Sequence, residues 1–265
     1  MDRLRALIVI VLLVDVVAVG AIAAMMLEGG GDQNTSETAG TNVTDALWFY
    51  GPSGPETFNG TVIGNLQTGK TPVGRVFHFN GTGYVDLSNA LSSLEGLKTG
   101  SISLFFRFED CNQSVLPILY IGDRDGENMF TIEIGHRGGG NRRLYVTWVA
   151  NGKPFLCFDS GFNLKPGRWY HLVVVVSDGG NTAYLNGREM RWRHYNFGNE
   201  SMRAFLWDIP KKEVFFIGYG KTADPITPGF LHFRGSVADV SIYTTPLSWN
   251  EVRGLFNGAK SLRRA

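Results

Sequence analysis

Gly167-Arg-Trp-Tyr-His-Leu-Val-Val-Val-Val176, followed closely by Asn181-Thr-Ala-Tyr-Leu-Asn-Gly-Arg188, is the stretch that decides the fold. His171 to Ser177 is an unbroken apolar run, the pattern of a strand covered on both faces. Asn186-Gly187 then forms a two-residue hairpin turn that joins Ala183–Leu185 to Arg188–Arg191. Outward from this pair the same texture repeats. Ser101–Phe108 sets Ile102, Leu104, Phe106 and Phe108 on one side, and Leu144–Ala150 meets Phe155–Phe158 across Asn151-Gly152. Short apolar runs at regular intervals, punctuated by Gly and Asn, indicate an all-β sandwich of two antiparallel sheets. Leu247–Phe256, opened by Pro246 and Ser248, is the one helix signal in this region. A single domain is expected from Ala46 to the C-terminus.

Five pieces in order resemble the laminin G-like, concanavalin A-type lectin/glucanase jelly roll. Gly74-Arg-Val-Phe-His-Phe-Asn-Gly-Thr-Gly-Tyr-Val85 is similar to the family's opening strand pair. The Trp169/His171 strand, the Tyr184 to Gly187 hairpin and the Ile217-Gly218 strand follow, and Gly235 to Tyr243 closes the series with Gly235 and Asp239. The resemblance implies a jelly-roll sandwich and a binding function. It also implies one structural Ca²⁺ held by carboxylates and carbonyls, with Asp239 and Asp86 as the metal candidates.

The N-terminus differs in kind. Ala6 to Leu27 is apolar over about the ~20 residues that a membrane-spanning helix needs. Asp15 interrupts it at a cost of roughly 2.5–3.5 kcal/mol, which the aliphatic residues around it outweigh. Arg3 and Arg5 precede the run and acidic residues follow, so the remainder is expected outside the cytoplasm on a single-pass anchor. A cleaved signal peptide is the competing reading, because Ala21-Ile22-Ala23 fits a cleavage site and cleavage would release a secreted domain. Glu28–Asp45, rich in Gly, Ser, Thr, Asn and acids, reads as a flexible tether. Asn34, Asn42, Asn59, Asn80, Asn112 and Asn199 begin glycosylation sequons, in keeping with an extracytoplasmic domain. Cys111 and Cys157, the only cysteines, fit either one disulfide or two buried thiols.

A net charge of +1 argues against a nucleic-acid surface. No Glu-X-Asp-X-X-Glu strand is present to supply a glycosidase's acid and nucleophile; Glu133 has no carboxylate at i±2. His171, in an apolar strand without a nucleophile motif, reads as a core residue, and Asp123 to Glu127 as a hairpin turn. Recognition residues are sought among exposed aromatics and fixed polar groups. The segment Arg191–Asp208 offers Trp192, Arg193, His194, Tyr195, Asn196 and Trp207, and Trp148 joins them if it faces outward. The alternative for Trp192 and Trp207 is that they pin a long loop to the sandwich. The expected function is therefore a membrane-anchored, non-catalytic module that binds carbohydrate or a surface glycoprotein. A structural envelope or virion-surface block and a divergent glycosidase are the two alternatives.

Overall fold

Apolar–polar alternation between glycine and asparagine turns gives nineteen strands among residues 35–37, 40–71, 74–136, 142–222 and 229–259, which the structure, a computed structural model, describes. The first half holds β1 (Thr35–Glu37), β2 (Thr41–Gly51), β3 (Gly54–Ile63), β4 (Leu66–Thr71), β5 (Gly74–Asn80), β6 (Tyr84–Asp86), β7 (Gly100–Phe108), β8 (Leu116–Gly122) and β9 (Met129–His136). The second half begins with β10 (Arg142–Ala150), β11 (Lys153–Asp159), β12 (Tyr170–Ser177), β13 (Gly180–Leu185), β14 (Arg188–Glu189) and β15 (His194–Phe197). It closes with β16 (Val214–Ile217), β17 (Tyr219–Lys221), β18 (Phe230–His232), β19 (Arg234–Tyr243) and helix α1 (Trp249–Gly258).

Two layers result. The back layer runs β13–β12–β7–β19, and β5, β4 and β1 continue it. The front layer runs β15–β11–β10–β9–β8–β16–β6–β3. The β2–β3 hairpin bridges the layers, because β2 lies along β19 while the end of β3 joins β6. Among the described residues all pairings are antiparallel except β2 with β19, so the expected wholly antiparallel sandwich carries one parallel contact there. Leu104, Phe106, Leu172 and Val174 of the back layer meet Phe130, Ile132, Val146 and Trp148 of the front layer in one continuous core.

Both asparagine-glycine turns have the positive φ values that such hairpins require: 50° and 71° at Asn151-Gly152, 55° and 70° at Asn186-Gly187. β12 is buried on both faces, as its unbroken apolar run implies, because α1 covers its outer side. Val173 and Val175 pack against Val252, and Phe256 lies parallel to the ring of His171 at 6.1 Å. His171 is a core residue, stacked on Phe105 at 4.2 Å with Nε2 2.9 Å from Ser103 Oγ. Helix α1 starts two residues later than expected because Ser248 caps it, in a reciprocal bond with Glu251.

The structure corrects one expectation and decides between the two readings of the cysteines. The stretch to Asp45 is not all tether, since β1 pairs with β4 and Val43 of β2 is buried. Val43, Ala46 and Leu47 supply enough apolar surface to draw the chain into the sandwich before residue 46. Cys111 and Cys157 are both free thiols: Cys157 is buried on β11, bonded by Thr147 Oγ1 at 3.3 Å, and Cys111 lies in the loop after β7. The expected membrane span Ala6–Leu27 lies outside the described residues, and among the described residues no helix is long and apolar enough to cross a membrane. Asn34 is also outside them; the other five sequon asparagines are exposed.

Asp239 occupies a fork in the back layer. Up to Ala238, β19 pairs with β5; from Ser241 it pairs with β2, and the bulge between them holds Asp239 at φ 49°. Ser241 Oγ donates to its carboxylate at 3.3 Å, and the stacked rings of Tyr50 and Tyr243 lie beside it. Loss of hydration in the fork raises the Asp239 carboxyl from 3.8 to about 7, with the Ser241 bond opposing only weakly. Between about pH 4 and 7 the unfolded chain then releases a proton that the folded chain keeps. Stability therefore falls as pH rises through this window and levels off above it. A rise of that size corresponds to about 4 kcal/mol at most, and the partial exposure of the residue reduces that. Asp239→Asn, which tolerates positive φ, is expected to gain about 1–3 kcal/mol at pH 8 and nothing at pH 4. Melting curves across pH test this, and a destabilised variant at pH 8 would show that the ionised carboxylate is needed.

Candidate ligand-binding face

On the front layer, alternate residues of each strand point away from the core, and their register decides what they form together. Tyr145 stands opposite Glu133 on β9 and Asp159 on β11, and Asp159 stands opposite His194 on β15. One step along, Thr147 stands opposite Thr131 and Cys157, and Asn196 Nδ2 lies 3.6 Å from Cys157 Sγ. Two polar rows thus cross four strands. The opposite face of the same strands carries Phe130, Ile132, Leu144, Val146, Trp148, Leu156 and Phe158 into the core.

The other half of this outer face is apolar, and the chain covers it with its own hairpin. Phe230 of β18 packs on Tyr120 and on Tyr219 of β17, both at 5.1 Å, and Tyr84 stacks on Tyr219 at 4.7 Å. The hairpin's reach ends where Thr222 Oγ1 donates to Glu133 Oε1 at 2.9 Å. Beyond that boundary lies the polar half.

Tyr145 is its centre. Its half-buried ring lies over Gly135, where a Cβ would come within 2.7 Å of Cε2, so only glycine permits this position. Asp159, 0% exposed, is held by Arg143 Nη1 at 3.3 Å to both oxygens and by the amide of Gly161 at 2.7 Å. Glu133, 5% exposed, closes the far end against Thr222. Thr131 Oγ1 is buried with no hydrogen-bond partner among the described residues. The open end is formed by Arg143, His194 and Asn196. The Trp192 carbonyl presses against Gly161 there, and the Trp192 side chain is 84% exposed, with Phe162 also exposed nearby in sequence.

The residues nominated from sequence divide accordingly. Trp148 is core, with Phe130 at 4.8 Å and Phe158 at 6.2 Å, so it does not face a ligand. Arg193 lies over the rings of Phe158 and Tyr195 and donates to the carbonyl of Asn181, while Tyr195 Oη donates to Asn181 Oδ1 at 2.9 Å. These two hold the loop in place. Trp192 stands free at the open end. Trp207 is exposed in a separate 3₁₀ turn, with Lys98 over its ring at 5.2 Å.

Metal and nucleophile chemistry find little support in these side chains. Asp86 spends Oδ1 on the amide and hydroxyl of Ser88, in the front layer, away from the Asp239 fork. Among the described residues no three His, Cys, Asp or Glu side chains converge on one point. Ca²⁺ takes six to eight oxygens, and Asp86 and Asp239 stand in different layers. Burial raises the Cys157 thiol, against weaker opposing bonds from Thr147 and Asn196, so it stays protonated at neutral pH.

The model of the concanavalin A-like lectin/glucanases superfamily matches residues 79–253. The chain belongs to that superfamily. Within this superfamily member, the match runs from the last residues of β5 to the middle of α1 and so includes the whole polar half of the front face. Solved structures with a similar backbone include the CBM40 of a Ruminococcus gnavus IT-sialidase bound to α2,3-sialyllactose. It is 15% identical, with 66% of this chain and 92% of that one covered and a TM-score of 0.47. Domain 4 of an extracellular arabinanase from Geobacillus stearothermophilus, in complex with arabinotriose, is 20% identical over 76% and 88%, with a TM-score of 0.49. A pentraxin from Limulus polyphemus is 17% identical over 59% and 69%, with a TM-score of 0.41. A comparison with curated proteins finds no match.

Proposed function

We propose that the chain is a non-catalytic glycan-binding module, carried outside the cytoplasm by its apolar N-terminal segment, and that sugar binds on the polar half of the front face. The observation that carries this reading is the pair of polar rows around Tyr145, on a sheet face whose apolar half has its own cover. Sugars need a flat ring to stack on and fixed hydrogen-bonding groups to read hydroxyls. Tyr145 supplies the first; Asn196 and His194 supply the second, with Trp192 at the open rim. A glycan array followed by titration calorimetry of the hits tests the reading. Micromolar to millimolar affinity for at least one oligosaccharide is expected, and no binding across a broad array would overturn it.

Hydrolysis is the second reading, favoured by one observation. Glu133 and Asp159 flank Tyr145 two strands apart, about 9–10 Å by strand spacing, near the separation of an inverting pair. Against it, Asp159 is locked to Arg143 and Gly161 and is closed to solvent. Glu133→Gln is expected to change sugar affinity by less than about tenfold, with no reducing ends released by either form. Turnover by the wild type that disappears in the variant would establish the enzyme instead.

A further inference from the structure

On the opposite side of the sandwich, the β13–β14 hairpin and helix α1 enclose a cleft of about 550 Å³, lined by Tyr184, Arg188, Glu189, Arg191, Trp249 and Arg253. Its walls are fixed. Gly187, at the hairpin tip, sits so close to Phe256 that a Cβ there would be 3.0 Å from the ring, and Asn186 Oδ1 accepts from the His171 amide at 2.9 Å. Trp249 and Arg253, one turn apart on α1, face outward together. The guanidinium lies 4.5 Å from the indole centroid, and Trp249 is 49% exposed.

The charge here is unlike that of the chain as a whole. Three arginines and one glutamate line the cleft, in a protein of net charge +1. Glu189 pairs with Arg191 at 3.7 Å, while Arg188 and Arg253 have no carboxylate partner among the described residues. Two guanidiniums without a carboxylate partner, that of Arg253 lying over one face of the exposed Trp249 indole, provide planar forks for an oxyanion and leave the other face of the indole for a sugar ring. Three arginines are too few for the phosphate-by-phosphate neutralisation that holds a nucleic acid. The volume suits a short ligand rather than an extended surface.

We propose that this cleft is a second binding site and that it takes an acidic oligosaccharide, whose carboxylate or sulfate is gripped by Arg188 and Arg253 while a ring stacks on Trp249. The site is separate from the Tyr145 face and does not depend on it. The test uses the full chain, titrated with oligogalacturonate for the carboxylate source, a heparin-derived hexasaccharide for the sulfate source, and a neutral hexasaccharide as control. At least one acidic probe is expected to bind, more weakly in 0.5 M salt. The double variant Arg188→Gln/Arg253→Gln is expected to lose at least about tenfold, with Trp249→Ala also weakened. All three changes in the cleft lie on exposed residues, so unaltered melting curves keep the comparison sound. Binding equal in the double variant, absence of binding by both acidic probes, equal binding of the neutral control, or preference for a phosphopeptide over both sugars would overturn the proposal.

Discussion

Trp148→Ala is expected to cost about 3–5 kcal/mol of folding stability. The side chain is 0% exposed and fills the middle of the front layer's inner face, between Phe130 and Phe158. Truncation leaves a hole that two rings from neighbouring strands cannot close without shifting their own strands. Its indole Nε1 is buried with no hydrogen-bond partner among the described residues, so Trp148→Phe removes an unpaired donor as well as volume. The phenylalanine variant should therefore lose much less than the alanine. Chemical unfolding of both variants measures the difference. A loss below about 1 kcal/mol for the alanine variant would mean that Trp148 is not inside.

Tyr145→Ala is expected to reduce affinity for a bound sugar by at least about thirtyfold, with little effect on folding. The ring is half-buried on the outer face, so its removal takes away the stacking surface without opening the core. A lost aromatic contact of this kind is worth about 2 kcal/mol. Tyr145→Phe should retain most of the affinity, because the hydroxyl oxygen is closed to solvent and the ring supplies the contact. Calorimetric titration of the three forms with one array hit separates these contributions. Gly135 belongs to the same device, because any side chain there would displace the ring.

The sandwich was legible because its signals are local. The Asn-Gly turns fixed two hairpins, the unbroken valines of β12 announced burial on both faces, and Pro246 with Ser248 marked the helix start to within two residues. The binding face was not legible, and Glu133 shows why. Along its own strand it has no acidic or basic companion at i±2, yet in the folded chain its neighbours are Tyr145 across one strand and Thr222 from a hairpin 89 residues away. Cross-strand register places them together, and nothing in a single strand's alternation states the register. A weaker signal was available: Thr131 and Glu133, Tyr145 and Thr147, Cys157 and Asp159 each occupy the polar phase of an alternating strand.

The aromatic loop illustrates the opposite failure. Composition marked Arg191–Asp208 as a recognition surface, but Arg193 and Tyr195 turn inward to Asn181 and the Phe158 ring because the long loop needs anchors. Of its nominated side chains, Trp192, His194 and Asn196 lie at the open end of the polar face. Asp239 was conspicuous as a carboxylate in mid-strand, and the physical need it expresses is strain and desolvation at the junction of β2 and β5 on β19.

The most direct measurement is a crystal structure with the tightest-binding neutral oligosaccharide from the array. A sugar ring stacked on Tyr145 is predicted, with hydroxyls within hydrogen-bonding distance of residues on β9, β10, β11 or β15. A sugar seated only at Trp207, or only between the β13–β14 hairpin and α1, with the Tyr145 face bare, would contradict the assignment of the binding face.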